Sequence, residues 1–152
     1  FIDNNDNILS LRKEIKFDFN VYIWTKKCFH ANCSGFFTKK VFNKVGLLDT
    51  KLDYSMDYEF YLRAYSKGIK IDHQNETWSC YRLHESSKSI VSNNEQLKES
   101  EEIINSLGIN KYSPFINQAI HGYYKLYRII KKFFIGSYLP IKKYKIIIEE
   151  IK

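Results

Sequence analysis

The side chain best placed for chemistry is Asp57, in the run Ser55-Met56-Asp57-Tyr58-Glu59-Phe60-Tyr61-Leu62-Arg63-Ala64. This run reads as a helix over residues 55–67, opened by Ser55 and closed by Gly68. At about 100° per residue, Phe60, Tyr61 and Ala64 fall within about 60° of Asp57, so the carboxylate shares the apolar face. Glu59 lies on the other side, four residues before Arg63, as an exposed ion pair does. A carboxylate on a packed face in a first turn is either a cap for the helix N-terminus or a positioned base. Burial raises its pKa and the helix N-terminus lowers it, and together they can leave it ionised and reactive near neutral pH. Two other groups stand out by residue type. Ser34-Gly35 marks a place where backbone can come close to a ligand. Cys28, His30 and Cys33 are zinc-ligand types, but their spacing is not a standard one and a second ligand pair is missing, which argues against zinc.

The elements that must hold these residues follow from caps and breakers. Residues 1–10 read as strand, Asn/Asp turn and second short strand, because Asn and Asp tolerate left-handed turn conformations. A short helix is expected near residues 21–26, and a second from Thr38 through Lys44, with Val41, Phe42 and Val45 on one face and Gly46 at its end. Residues 69–73 and 77–83 alternate like two strands. Ser92-Asn93-Asn94-Glu95 is a capping box for a helix ending at Gly108. Beyond Pro114 a long helical segment is predicted, broken near Gly136 and Pro140 and followed by a short piece rich in Ile and Lys.

A chain of 152 residues with 44% hydrophobic and 16% aromatic content can build one core with an appendage. The formal charge of +7 raises the question of nucleic acid, and its distribution answers it. From residue 123 to 152 there are eight Lys or Arg against two Glu, so the rest of the chain is nearly neutral. A terminal basic tail suits an anionic membrane surface or an acidic partner better than a nucleic-acid reading surface, so no nucleic-acid partner is expected. Three cysteines, with neither a signal peptide nor a run of about 18 apolar residues, point to a reducing, cytoplasmic compartment.

Three stretches taken together, Gly46-Leu47-Leu48-Asp49, the run 54–63 around Asp57, and Tyr81-Arg82-Leu83-His84 followed by Ser87-Lys88-Ser89, resemble the second half of bacterial family 2 glycosyltransferases. The resemblance covers roughly residues 1–90, with Ile2-Asp3-Asn4-Asn5-Asp6 similar to the strand and turn after that family's metal-binding segment. It implies an α/β fold: residues 1–90 as the C-terminal, acceptor-side half of a Rossmann-like GT-A domain, and residues 91–152 as a helical extension. It implies inverting transfer of a sugar from a nucleotide-sugar donor to a polysaccharide or lipid-linked acceptor hydroxyl. Asp57 matches the general base, and Met56 stands where the family's preceding acid would be. Ser34 and Gly35 resemble the loop beside the sugars. Arg82 and His84, on one side of an alternating strand, would face the diphosphate, and His84 matches a histidine that in many members reaches the metal. The divalent cation, Mn or Mg, would be bound mostly through an Asp-x-Asp that normally precedes the position of Phe1, so this stretch alone is expected to be inactive. A noncatalytic remnant or carbohydrate-binding module is the alternative.

The tail has its own pattern. On a wheel from Lys125, Arg128, Lys131 and Lys132 cluster within about 120° while Leu126, Ile129, Ile130, Phe133 and Phe134 fill the other side. Two readings stay open: residues 123–145 lie peripherally on the inner face of the cytoplasmic membrane, or the apolar face docks on the rest of the chain. Salt-sensitive binding to anionic vesicles is the signature of the first.

Overall fold

The computed structural model describes residues 1–84, 92–108 and 112–137. It contains α1 (Phe19–Thr25), a single 3-10 turn (Asn32–Ser34), α2 (Lys39–Val45), α3 (Met56–Ser66), α4 (Asn93–Ser106) and α5 (Pro114–Phe134). The expected final segment at residues 141–152, the Ser87-Lys88-Ser89 stretch and the part of the membrane tail beyond residue 137 lie outside the described residues.

The expectation of an α/β Rossmann-like GT-A fold is overturned. Among the described residues there is no strand or sheet, only two isolated bridges, Ile2 with Ile8 (antiparallel) and Ile2 with Arg82 (parallel). The opening turn forms locally: the Asp3 carboxylate accepts from the Asn5 and Asn7 amides at 2.8 and 2.9 Å, and Asp6 takes a left-handed φ of 63°. Ile2 then exchanges backbone bonds with Tyr81 and Leu83, at 3.0 and 2.9 Å. Residues 69–73 and the rest of 77–83 make no ladder, although their side chains alternate. Period-two patterning describes a chain that can pair on one face, and pairing needs a neighbouring strand edge that these residues do not meet.

The helices lie close to the expected bounds, although Thr38, Ser55 and Ser92 stand at the N-caps without a side-chain cap bond, so the capping box expected at Ser92 does not form. The Asp18 side chain accepts from the Val21 amide at 3.1 Å and starts α1. Gly46 ends α2 at φ 94°, a conformation costly for a side-chain-bearing residue. Arg63 then ties that end to α3, its guanidinium donating to the Val45 and Leu47 carbonyls at 2.7 and 2.8 Å while also holding Glu59. The Glu59–Arg63 pair thus does more than decorate a solvated face.

α3 is the central element. Its Tyr58, Tyr61 and Leu62 join Ile15, Val21, Tyr22, Ile23, Phe29, Ile103 and Ile104 in the larger core. On its other flank Phe60 and Ala64 meet Val45 in a second cluster, with Phe37, Val41 and Phe42 packed around it. A helix buried on two sides carries apolar residues nearly all round, as this one does. Ile103 and Ile104 belong to α4, so the core crosses the expected division at residue 90.

α5 packs on α1 by a mixed face, with Tyr124 and Tyr127 against the larger core and two cations beside them, while its longest apolar side stays uncovered. Arg128 and Lys132 reach the nearly buried Glu14 carboxylate at 2.9 and 2.8 Å, Arg128 lies over the Phe29 ring, and His121 Nδ1 donates to the Trp24 carbonyl at 2.6 Å. None of its residues is fully buried. Among the described residues no helix is long and apolar enough to cross a membrane.

Candidate functional site

Asp57 occupies the first turn of α3 and is only partly exposed. Its Oδ1 accepts from the Tyr58 amide at 2.7 Å. Of the two opposing effects expected on this carboxyl, burial prevails and its pKa is raised, against the lowering effects of that amide and of the Cys28 thiol beside it. Glu99 of α4 accepts from the backbone amides of Asp53, Tyr54 and Ser55 at 2.9, 2.8 and 2.5 Å. These amides lie at and just before the N-cap, ahead of the second and third helical amides that a capping side chain takes, and Glu99 stands near the positive end of the dipole. Ser55, the expected cap, points elsewhere: its hydroxyl donates to the Gln96 carbonyl at 3.1 Å and bonds with Ser100 at 2.9 Å.

Asp57 opens on a small cleft of about 120 Å³, lined with it by Asn32, Gly35, Phe37, Leu48 and Tyr61 among others. At Gly35 the backbone comes close to a neighbouring side chain, and a larger residue would force a shift. A Cβ at that position would stand 2.6 Å from the Tyr61 hydroxyl. Burial, together with Cys28 and Asp57 nearby, raises the Tyr61 pKa, so its phenol stays protonated and able to donate a hydrogen bond. Thus the cleft offers one carboxylate acceptor, one phenol donor and close backbone.

Behind the cleft lies a satisfied polar chain. His30 Nε2 faces the Ile15 carbonyl at 3.0 Å, which can only accept, so Nε2 carries the proton and Nδ1 accepts from the Tyr22 hydroxyl at 2.6 Å. Burial holds the His30 pKa down to about 4, in keeping with this neutral ring. Cys28 donates to the His30 carbonyl at 3.3 Å, and burial with the nearby Asp57 charge raises its pKa, so it remains a thiol. Cys33 is exposed and accepts from the Ser79 hydroxyl at 3.2 Å. These cysteines and His30 are thus structural partners of other groups, and among the described residues no three His, Cys, Asp or Glu side chains are arranged to hold a metal ion.

The expected site residues are therefore only partly gathered. Asp57 and Gly35 share the cleft. Ser34 is next to it but exposed, its hydroxyl bonded to Ser79 at 2.6 Å. Arg82 and His84 do not line it. The Arg82 guanidinium is committed to the opening turn, at 2.5 Å from both the Asp3 carbonyl and the Asp6 carboxylate. His84 is exposed on the same side as Arg82, in keeping with local alternation but not with a strand. Tyr61 and Glu99 escaped sequence reasoning. Tyr61 has a local signal, lying four residues after Asp57 on the same helix face. Glu99 has none, since 44 residues separate it from the Ser55 amide it accepts from.

Comparison of the chain with protein-family models, curated proteins and solved structures gives no match.

Proposed function

We propose that this chain is part of an inverting glycosyltransferase in which Asp57 is the general base. The observation that carries this reading is a carboxyl of raised pKa, opening on a small cleft that also holds a protonated phenol and the close backbone of Gly35. A carboxylate with an elevated pKa is a better proton acceptor, and the gain from such a base is about 10² to 10⁴ in rate. In the step proposed, Asp57 takes the proton of an acceptor hydroxyl as its oxygen bonds to the anomeric carbon of the donor. The bond from that carbon to the nucleoside diphosphate breaks, and configuration inverts. Tyr61 donates a hydrogen bond within the cleft and helps orient the acceptor. The acceptor class, polysaccharide or lipid-linked saccharide, comes from the sequence resemblance. So does a divalent cation, Mn or Mg; the described residues do not fit one, and no step here passes through it.

One observation favours the second reading, a carbohydrate-binding module without turnover. Phe36 and Trp78, both exposed, pack at 5.2 Å beside the Ser34-Gly35 turn and present apolar ring faces of the kind a sugar ring can cover. The two readings separate on Asp57→Asn. In the product of the complete reading frame that encodes this chain, the variant is expected to lose about 10²-fold or more in transfer from a nucleotide sugar. Its melting temperature should stay equal or rise, because a partly buried charge is removed. Undiminished turnover removes the base assignment. A native protein that binds oligosaccharide without consuming nucleotide sugar is the binding module instead.

A further inference from the structure

α5 packs Tyr124 and Tyr127 against the core but leaves its longest apolar side uncovered. Its cations Arg128 and Lys132 face inward to Glu14, while Phe115, Tyr123, Leu126, Ile130, Phe133 and Phe134 stand in solvent along one side. Phe133 and Phe134 are 71% and 80% exposed, and Phe115, nearly five turns earlier, is 80% exposed. On a helix of 21 residues this is a stripe about 30 Å long, of the size that marks an interaction surface. The charge around it selects the occupant. No Asp or Glu occurs in the helix, and Lys125 and Lys131 flank the stripe on either side. The chain continues with Lys142, Lys143 and Lys145. A second copy apposed on this face would bring two carboxylate-free, cationic helices together. Nucleic acid would place phosphates against phenylalanines. An anionic bilayer meets both features, with acyl chains for the rings and headgroups for the lysines.

We infer that α5 is an in-plane membrane-docking helix that inserts the Phe115–Leu126–Phe133 side into an anionic leaflet while Glu14 holds its opposite side to the protein. This inference is independent of the transferase reading. It differs from a simple basic helix in one measurable way. Arg128 and Lys132 are occupied by Glu14, so apolar insertion carries most of the binding, with Lys125 and Lys131 adding selectivity for anionic lipid.

The experiment is co-sedimentation of the full chain with vesicles of phosphatidylcholine, alone or mixed with phosphatidylglycerol. Binding is expected on the mixed vesicles, and a substantial part should survive high salt. Leu126→Glu with Phe133→Glu should weaken it about tenfold or more. Both side chains are exposed, so unchanged circular dichroism is the control for folding. Lys125→Glu and Lys131→Glu should each cost about fivefold on anionic vesicles. Three results overturn the inference: a chain left in solution by both compositions, binding abolished by salt alone, or the double glutamate variant binding as the parent does. A lipid-free dimer that the double variant dissociates would also overturn it, by making a second copy the occupant.

Discussion

α3 and α5 are both amphipathic by sequence, and the structure treats them in opposite ways. α3 is short, and apolar neighbours close over two of its flanks, leaving one carboxylate at the edge of a cleft. α5 is nearly twice as long, buries no residue fully, and turns Tyr124, Tyr127, Arg128 and Lys132 in and its phenylalanines out. The difference lies in what each helix meets. α3 meets Tyr22, Ile104 and Val45, all apolar surfaces, whereas α5, beside the core edge that Tyr124 and Tyr127 cover, meets Glu14, whose charge is shielded from water and must be matched. Leaving a carboxylate unpaired in such a place costs more than leaving rings in solvent.

The largest test of this contrast is Glu14→Ala. Arg128, Lys132 and Arg12 all lie on that carboxylate, and removing it strands partly buried cations. A loss of about 3 kcal/mol in chemical denaturation is expected. Hydrogen exchange should show α5 released while α3 keeps its protection; equal loosening of both would remove the distinction. The same pair sets an acid response. Burial raises the Glu14 pKa, but Lys132, Arg128 and Arg12 together outweigh it and hold the carboxyl below its usual value. A depressed carboxyl stabilises the fold fully above its unfolded pKa, and the contribution disappears as pH falls through the folded value. α5 should therefore detach in acid below the ordinary glutamate range.

Next in size is Glu99→Ala, which strips three backbone donors of their acceptor at the start of α3. A cost of about 2 kcal/mol is expected by thermal denaturation, with hydrogen exchange quickened at residues 53–55. A neutral result would mean that water caps α3 equally well. The smallest effect belongs to the cleft. Gly35→Ala forces a methyl group against the Tyr61 hydroxyl and should cost about 1 kcal/mol. Combining it with Tyr61→Phe should recover part of that loss in a double-mutant cycle; strict additivity would show that the two residues do not touch in solution.

Helix boundaries were legible because their causes are local. Gly46 after α2 and Gly68 after α3 each act within a few residues on the backbone that they reverse, whereas the Asp18 cap was passed over and α1 begins two residues before the expected start. The alternating runs at 69–73 and 77–83 misled, since a strand exists only where another edge accepts its hydrogen bonds, and periodicity carries no record of that edge. Asp57 was legible as an anomaly, a charge among rings. The direction of its pKa shift was not, because it depends on how far the rest of the chain buries the carboxyl.

By itself the sequence determined where helices start and stop, that Asp57 shares a face with Phe60 and Tyr61, and that the last helix has an apolar and a basic side. Only the tertiary structure decided that the Ser55 hydroxyl goes to Gln96 and Ser100 and not to its helix, that Arg82 serves the opening turn and not the cleft, and that Arg128 and Lys132 of α5 face inward. The physical reason is range. Caps and periodicity act over one or two turns, while desolvation of a charge is settled by whichever distant residue is packed against it.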